Sequence, residues 1–124
     1  MALPNVRPVN EWVVTAKTAS VGTTPVAAWC TAPVKGKIVR TYAVLEGTIT
    51  GTAAIAVAIN GGSDIGTGAL SIAAGAAGTG ASDAPANSAN NAAVNEGDFI
   101  SFTPSGATGS GIPATFHAVI REQS

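Results

Sequence analysis

The sequence predicts an all-β protein: a single β-sandwich, jelly-roll-like, of about eight antiparallel strands, preceded by an extended N-terminal arm. Three observations carry that expectation. Short runs rich in β-branched and aromatic residues recur with turn residues between them, apolar residues repeat every second position within those runs, and no long 3.6-residue period appears anywhere. The chain has 124 residues, enough for one core and too few for two ordinary ones. Hydrophobic residues make up 46% of it but aromatics only 5%, so the core is expected to be built mainly from alanine and valine.

Residues 1–11 read as the arm and residues 12–124 as the sandwich domain. Pro4 and Pro8 fix φ, remove backbone donors and push the residues before them toward extended geometry. In WVVTAKTA, Trp12, Val14 and Ala16 share one face and Thr15 and Lys17 the other, as in a half-buried strand. PVAAWCTAP, bounded by Pro25 and Pro33 around Trp29 and Cys30, is too short for a helix and reads as a second strand. KIVRTYAVLEG is rich in residues that suit a pleated sheet and gives a third.

TAAIAVAING alternates strictly. Ile55, Val57 and Ile59 fall on one face, and Ala54, Ala56 and Ala58 on the other. Alanine favours a helix, but the branched residues at every second position and the Asn60-Gly61 turn signal favour a strand. Its all-alanine face implies that something approaches closely there, which makes Ala54, Ala56 and Ala58 candidates for a subunit interface.

The stretch GGSDIGTGALSIAAGAAGTGASDAPANSANN, Gly61 to Asn91, reads as a turn, one short strand around ALSI and a long small-residue loop. Its lack of bulk and charge suits close packing on neighbouring subunits. A further short strand falls at AAV. DFISFTP, with Ile100 and Phe102 alternating with Ser101 and Thr103, and ATFHAVIRE, with Phe116, Ala118 and Ile120 on one face, close the fold.

Charged residues are only 10% of the chain and the formal net charge is −1, a composition that suits a protein covering much of its surface with partners. The basic residues are Arg7, Lys17, Lys35, Lys37, Arg40 and Arg121, with none between the last two. Nucleic-acid affinity comes from clustered Lys and Arg, so nucleic acid is not an expected partner. Cys30 is the only cysteine, so no disulfide forms within one chain, and a small buried apolar role is expected. MALPNVRPVN lacks the pattern of a cleaved leader, and no apolar run approaches the ~20 residues that span a bilayer; no membrane is expected.

Catalytic patterns are weak. Gly66-Thr67-Gly68 and Gly78-Thr79-Gly80 lack the third glycine and the lysine of phosphate-binding loops. His117 is the sole histidine; with Asp98 or Asp64 and a serine it has no supporting nucleophile elbow, and a solvent-facing or interface strand position is favoured. Glu96 and Asp98 around Gly97 read as a turn entering a strand rather than as an acid/base pair. Asp64, Asp83, Asn87, Asn90 and Asn91 would bind calcium only if the fold gathered them. Trp12 and Trp29 would make a sugar-stacking platform if exposed, but read first as anchors of the core or arm. No catalytic residue, cofactor or metal is expected.

Taken together, GKIVRTYAVLEGTITGTAAIAVAINGG, IGTGALSIAAGAAG, VNEGDFISFTPSG and ATFHAVIRE resemble a small β-sandwich or jelly-roll module frequent in virion proteins of tailed bacteriophages. The resemblance spans about residues 36 to 122. It implies a non-enzymatic structural protein on the capsid exterior: a decoration or cement protein, or a head fibre, that partners the major capsid protein, commonly as a homotrimer. The lack of a long shaft or repeats favours a free-standing decoration protein. Asn5, Val6, Arg7, Val9 and Trp12 are the candidate capsid contacts. The alternative is a tail- or fibre-associated host-recognition or carbohydrate-binding module.

Overall fold

In the computed structural model, which describes residues 10–61, 65, 70–83 and 92–123, nine strands follow one another: β1 (Glu11–Thr18), β2 (Ala28–Thr31), β3 (Gly36–Leu45), β4 (Ala53–Ile59), β5 (Ser71–Ile72), β6 (Gly80–Asp83), β7 (Ala93–Val94), β8 (Phe99–Ser105) and β9 (Ala114–Glu122). They form two antiparallel sheets, the first in the order β1-β9-β3-β6 with β7 also on β3, the second in the order β2-β8-β4-β5. The pairings are nested. β4 pairs with β5, β3 with β6, β2 with β8 and β1 with β9, so the chain is one long hairpin rolled into two facing sheets, the jelly-roll arrangement.

The alternation expected of β4, β8 and β9 is observed. Ile55, Val57, Ile100, Phe102, Phe116, Ala118 and Ile120 point inward and are buried. At the centre the Phe102 and Phe116 rings, one from each sheet, stack with centroids 5.1 Å apart and planes 10° from parallel. Their bulk sets the size of their neighbours. Phe116 lies between Ala16 on β1 and Ala43 on β3, and Phe102 between Ala28 on β2 and Val57 on β4. Pairing large against smaller side chains across adjacent strands lets the two sheets close around the stacked rings.

In β3 a bulge between Ile38 and Arg40 inserts Val39. Side chains alternate with period two, so without that extra residue a strand with Ile38 inward would also turn Arg40 and Tyr42 into the core. With it, Ile38, Thr41, Ala43 and Leu45 are buried while Arg40 and Tyr42 face out. The Asn60-Gly61 turn is also present, with φ of 52° and 75°. The Asn60 amide donates to the Phe99 carbonyl (2.8 Å), and its Oδ1 accepts from the Phe99 amide (3.0 Å), tying the turn to β8.

Three expectations need correction. The small-residue loop contains β6, Gly80–Asp83, held against β3 from Thr41 to Val44. Trp29 does not anchor the core: it is 62% exposed, because in the four-residue β2 it is Ala28 that sits inward beside Phe102. Cys30 is half-buried rather than fully enclosed, and burial pushes its thiol up to about 11. Residues 84–91, with Asn87, Asn90 and Asn91, and Asp64 lie outside the described residues, as do residues 1–9 of the arm.

Candidate functional site

The two sheets present outer faces of opposite chemistry. Among the described residues, every charged residue that lies in a strand belongs to the first sheet: Glu11, Lys17, Lys37, Arg40, Asp83, Arg121 and Glu122. The strands of the second, AWCT, AAIAVAI, SI and FISFTPS, contain none.

The outer face of the second sheet follows from its register. Trp29, Ser101 and Ala58 lie opposite one another, then Thr103 and Ala56, then Ser105, Ala54 and Ser71. Ala54 and Ala56 are exposed and Ala58 half-exposed, with Trp29 and Phe99 standing at the margin. The alanine face is therefore real, and no described element of the chain covers it.

On the first sheet, ion pairs sit at both ends of the outer face. Lys17 Nζ lies 3.0 Å from Glu46 Oε1, while Thr115 Oγ1 donates to Glu46 Oε2 (2.9 Å). The Lys17 ammonium and the Thr115 hydroxyl hold the Glu46 carboxyl below its ordinary value. At the other end Arg121 donates through Nε (3.1 Å) and an Nη (2.8 Å) to Glu11 Oε2. Between these ends a polar row, Thr15, His117, Tyr42 and Ser82, crosses four strands.

Trp12 lies in β1, 43% exposed, its indole Nε1 donating to Glu122 Oε1 (2.8 Å). The other candidate capsid contacts, Asn5, Val6, Arg7 and Val9, lie outside the described residues. Among the described residues, His117 Nδ1 meets Thr15 Oγ1 at 3.0 Å; Asp64 lies outside them. Asp98 serves the turn instead, its Oδ2 accepting from the Asn95 amide (2.8 Å) and its own amide donating back to the Asn95 carbonyl (3.0 Å). The Asn95 amide on the carboxylate, with the Asn60 side chain, lowers its pKa. Gly97, with φ of 91°, supplies the left-handed residue this turn needs. Among the described residues no three His, Cys, Asp or Glu side chains gather to hold a metal, and no helix is long and apolar enough to cross a membrane.

No protein-family model matches this sequence, and no curated protein matches it. Among solved structures, the fold is similar to that of a chain in the cyanophage Pam1 capsid asymmetric unit, with a TM-score of 0.63 and 16% sequence identity, over 99% of this chain and 93% of that one. The likeness is one of fold across the whole length of both chains. Sequence reasoning had marked Trp29, His117 and the three alanines. It had not marked Thr15, Tyr42 and Ser82, whose alignment with His117 depends on the Val39 bulge and on β6.

Proposed function

We propose that this protein is a structural component of a bacteriophage virion that binds the exterior of the assembled capsid and reinforces it, as a homotrimer. The observation that carries this reading is the fold shared end to end with a chain of a phage capsid asymmetric unit, a chain of nearly the same length. The major capsid protein is the partner, and no catalysis is involved. Binding to the assembled shell and not to its dissociated subunits stabilises the assembly by mass action.

The uncharged outer face of the second sheet, with Ala54, Ala56 and Ala58, supplies a subunit interface, since small side chains let another surface approach closely. Strands of 4, 7, 7 and 2 residues, about 4.8 Å apart with a rise of about 3.3 Å per residue, give a face of roughly 320 Å², about two-fifths of the ~800 Å² that each partner contributes to a standard stable interface. The arm, through Asn5, Val6, Arg7 and Val9, with Trp12 at its root, extends the contact onto the capsid.

Purified heads imaged with and without the protein test the reading: decoration at regular shell positions is expected, and bare heads at saturating protein would overturn it. A chain lacking residues 1–11 should fold and no longer decorate; undiminished decoration would remove the arm's role. The exposure of Trp29 favours one other reading, a host-recognition or carbohydrate-binding module of a tail or fibre. It predicts glycan binding that is lost in Trp29→Ala, and a clean negative on a broad glycan array would exclude it.

A further inference from the structure

The outer face of the first sheet carries a hollow of about 460 Å³ lined by Tyr42, Val44, Gly80, Ser82 and His117. Its shape follows from the register. Gly80 lies opposite Val44 on the neighbouring strand, and Ser82 lies opposite Tyr42, so the sheet edge beside two large side chains is built from residues with little or no side chain. Gly80 has no room to be anything larger: a Cβ there would come within 2.9 Å of the Ala43 carbonyl oxygen.

We propose that this hollow is a binding site for a neutral pyranose sugar, with the Tyr42 ring as the platform and His117 and Ser82 as the hydrogen-bonding groups. Three features argue for that ligand class. Tyr42 is 40% exposed, so it offers an aromatic surface to the apolar C–H face of a sugar ring while its hydroxyl remains available for hydrogen bonding. Thr15 engages His117 at Nδ1, which fixes the ring and leaves Nε2 without a partner among the described residues; in the neutral imidazole that nitrogen donates or accepts according to the tautomer. Among the described residues no charged side chain lines the hollow; on the same face the acid–base pairs Lys17–Glu46 and Arg121–Glu11 neutralise each other at the two ends, and Arg40, facing out two residues before Tyr42, is not part of the lining. A phosphate or carboxylate would find no counter-charge there, whereas a neutral polyol needs only an apolar floor and a few placed hydrogen-bonding groups. The site does not rest on capsid attachment, and lies on the sheet opposite Trp29.

The test is a titration of the intact protein with methyl glucopyranoside, methyl galactopyranoside and methyl N-acetylglucosaminide, followed by amide and side-chain NMR. At least one should shift the Tyr42, Ser82 and His117 signals saturably at millimolar concentration. Tyr42→Ala and His117→Ala should each weaken that binding at least tenfold, and their amide spectra report whether they stay folded. No saturable shift with any of the three sugars overturns the proposal. So does binding whose shifts centre on Trp29, or binding that both variants retain.

Discussion

Replacing Phe116 by alanine removes the larger part of what joins the two sheets at their centre. The side chain is fully buried and stacked on Phe102. Truncating a buried Phe costs about 3–5 kcal/mol, the upper end applying where the surroundings cannot collapse into the space. Here they cannot, because the flanking strands present Ala16 and Ala43, whose methyl groups have no further reach. Losing the ring pair accounts for about 0.5–1.5 kcal/mol beyond area burial. Taking about 4 kcal/mol, and an unfolding entropy near 2.1 cal/mol/K per residue, the melting temperature should fall by about 15 °C. Urea unfolding is the assay, with an unchanged slope and a lowered midpoint. Phe99→Ala, on the 41% exposed outer position of β8, is the control and should cost less than about 1 kcal/mol. A loss below about 1.5 kcal/mol for Phe116→Ala, or equal losses for the two variants, would refute the view that this stacked pair anchors the core.

Other expectations follow from local contacts. Gly36→Ala should cost more than about 2 kcal/mol or prevent folding, since its Cβ would lie 2.2 Å from the Arg121 carbonyl oxygen, where β3 is flanked by β9 and β7; chemical denaturation measures it. Cys30 should react with iodoacetamide at pH 8 much more slowly than a free thiol, because the protonated form dominates until about pH 11. Its raised pKa also means that stability is complete below the ordinary thiol value near 9.0 and declines as pH rises toward 11, a decline that Cys30→Ala should reduce in alkaline melting curves. Glu46 and Asp98 have lowered pKa values, so their contribution is present above the ordinary carboxylate range and lost as pH falls through the lowered values. Glu46→Gln should flatten the acid limb of melting temperature against pH, and an identical limb in the variant would contradict the Lys17 and Thr115 contacts.

Much of this fold is legible in the sequence where one face of a strand is buried. In β4, β8 and β9 the branched and aromatic residues fall at every second position, and the sheets bury those positions. What escapes a linear reading depends on partners distant in the chain. β6, with the sequence GASD, has no β-branched residue and is a strand because β3 lies beside it. Trp29 faces outward for the same kind of reason: the inward position of β2 adjoins Phe102 and only a small residue fits there. The Val39 bulge leaves no mark in composition, yet it brings Tyr42 into line with His117. The alanine face was readable as a surface awaiting close contact, whereas the hollow on the other sheet was not, because three separate segments build it.

The nesting of the strands also fixes the order in which the protein becomes complete during synthesis. β1, near the start of the chain, pairs in this fold only with β9, near its end; about 95 residues separate Thr18 from Ala114. At translation rates of about 5–20 residues per second the first strand waits roughly 5–20 s for its mate, with Ala16 and Thr18, buried in the finished fold, uncovered throughout. The innermost pair, β4 with β5, is the first to be fully synthesised, and the last strand, β9, lies between β1 and β3. A ribosome that stalls before residue 114 would thus hold a nascent chain with two open sheet edges, one of them beside the arm proposed to seek another protein.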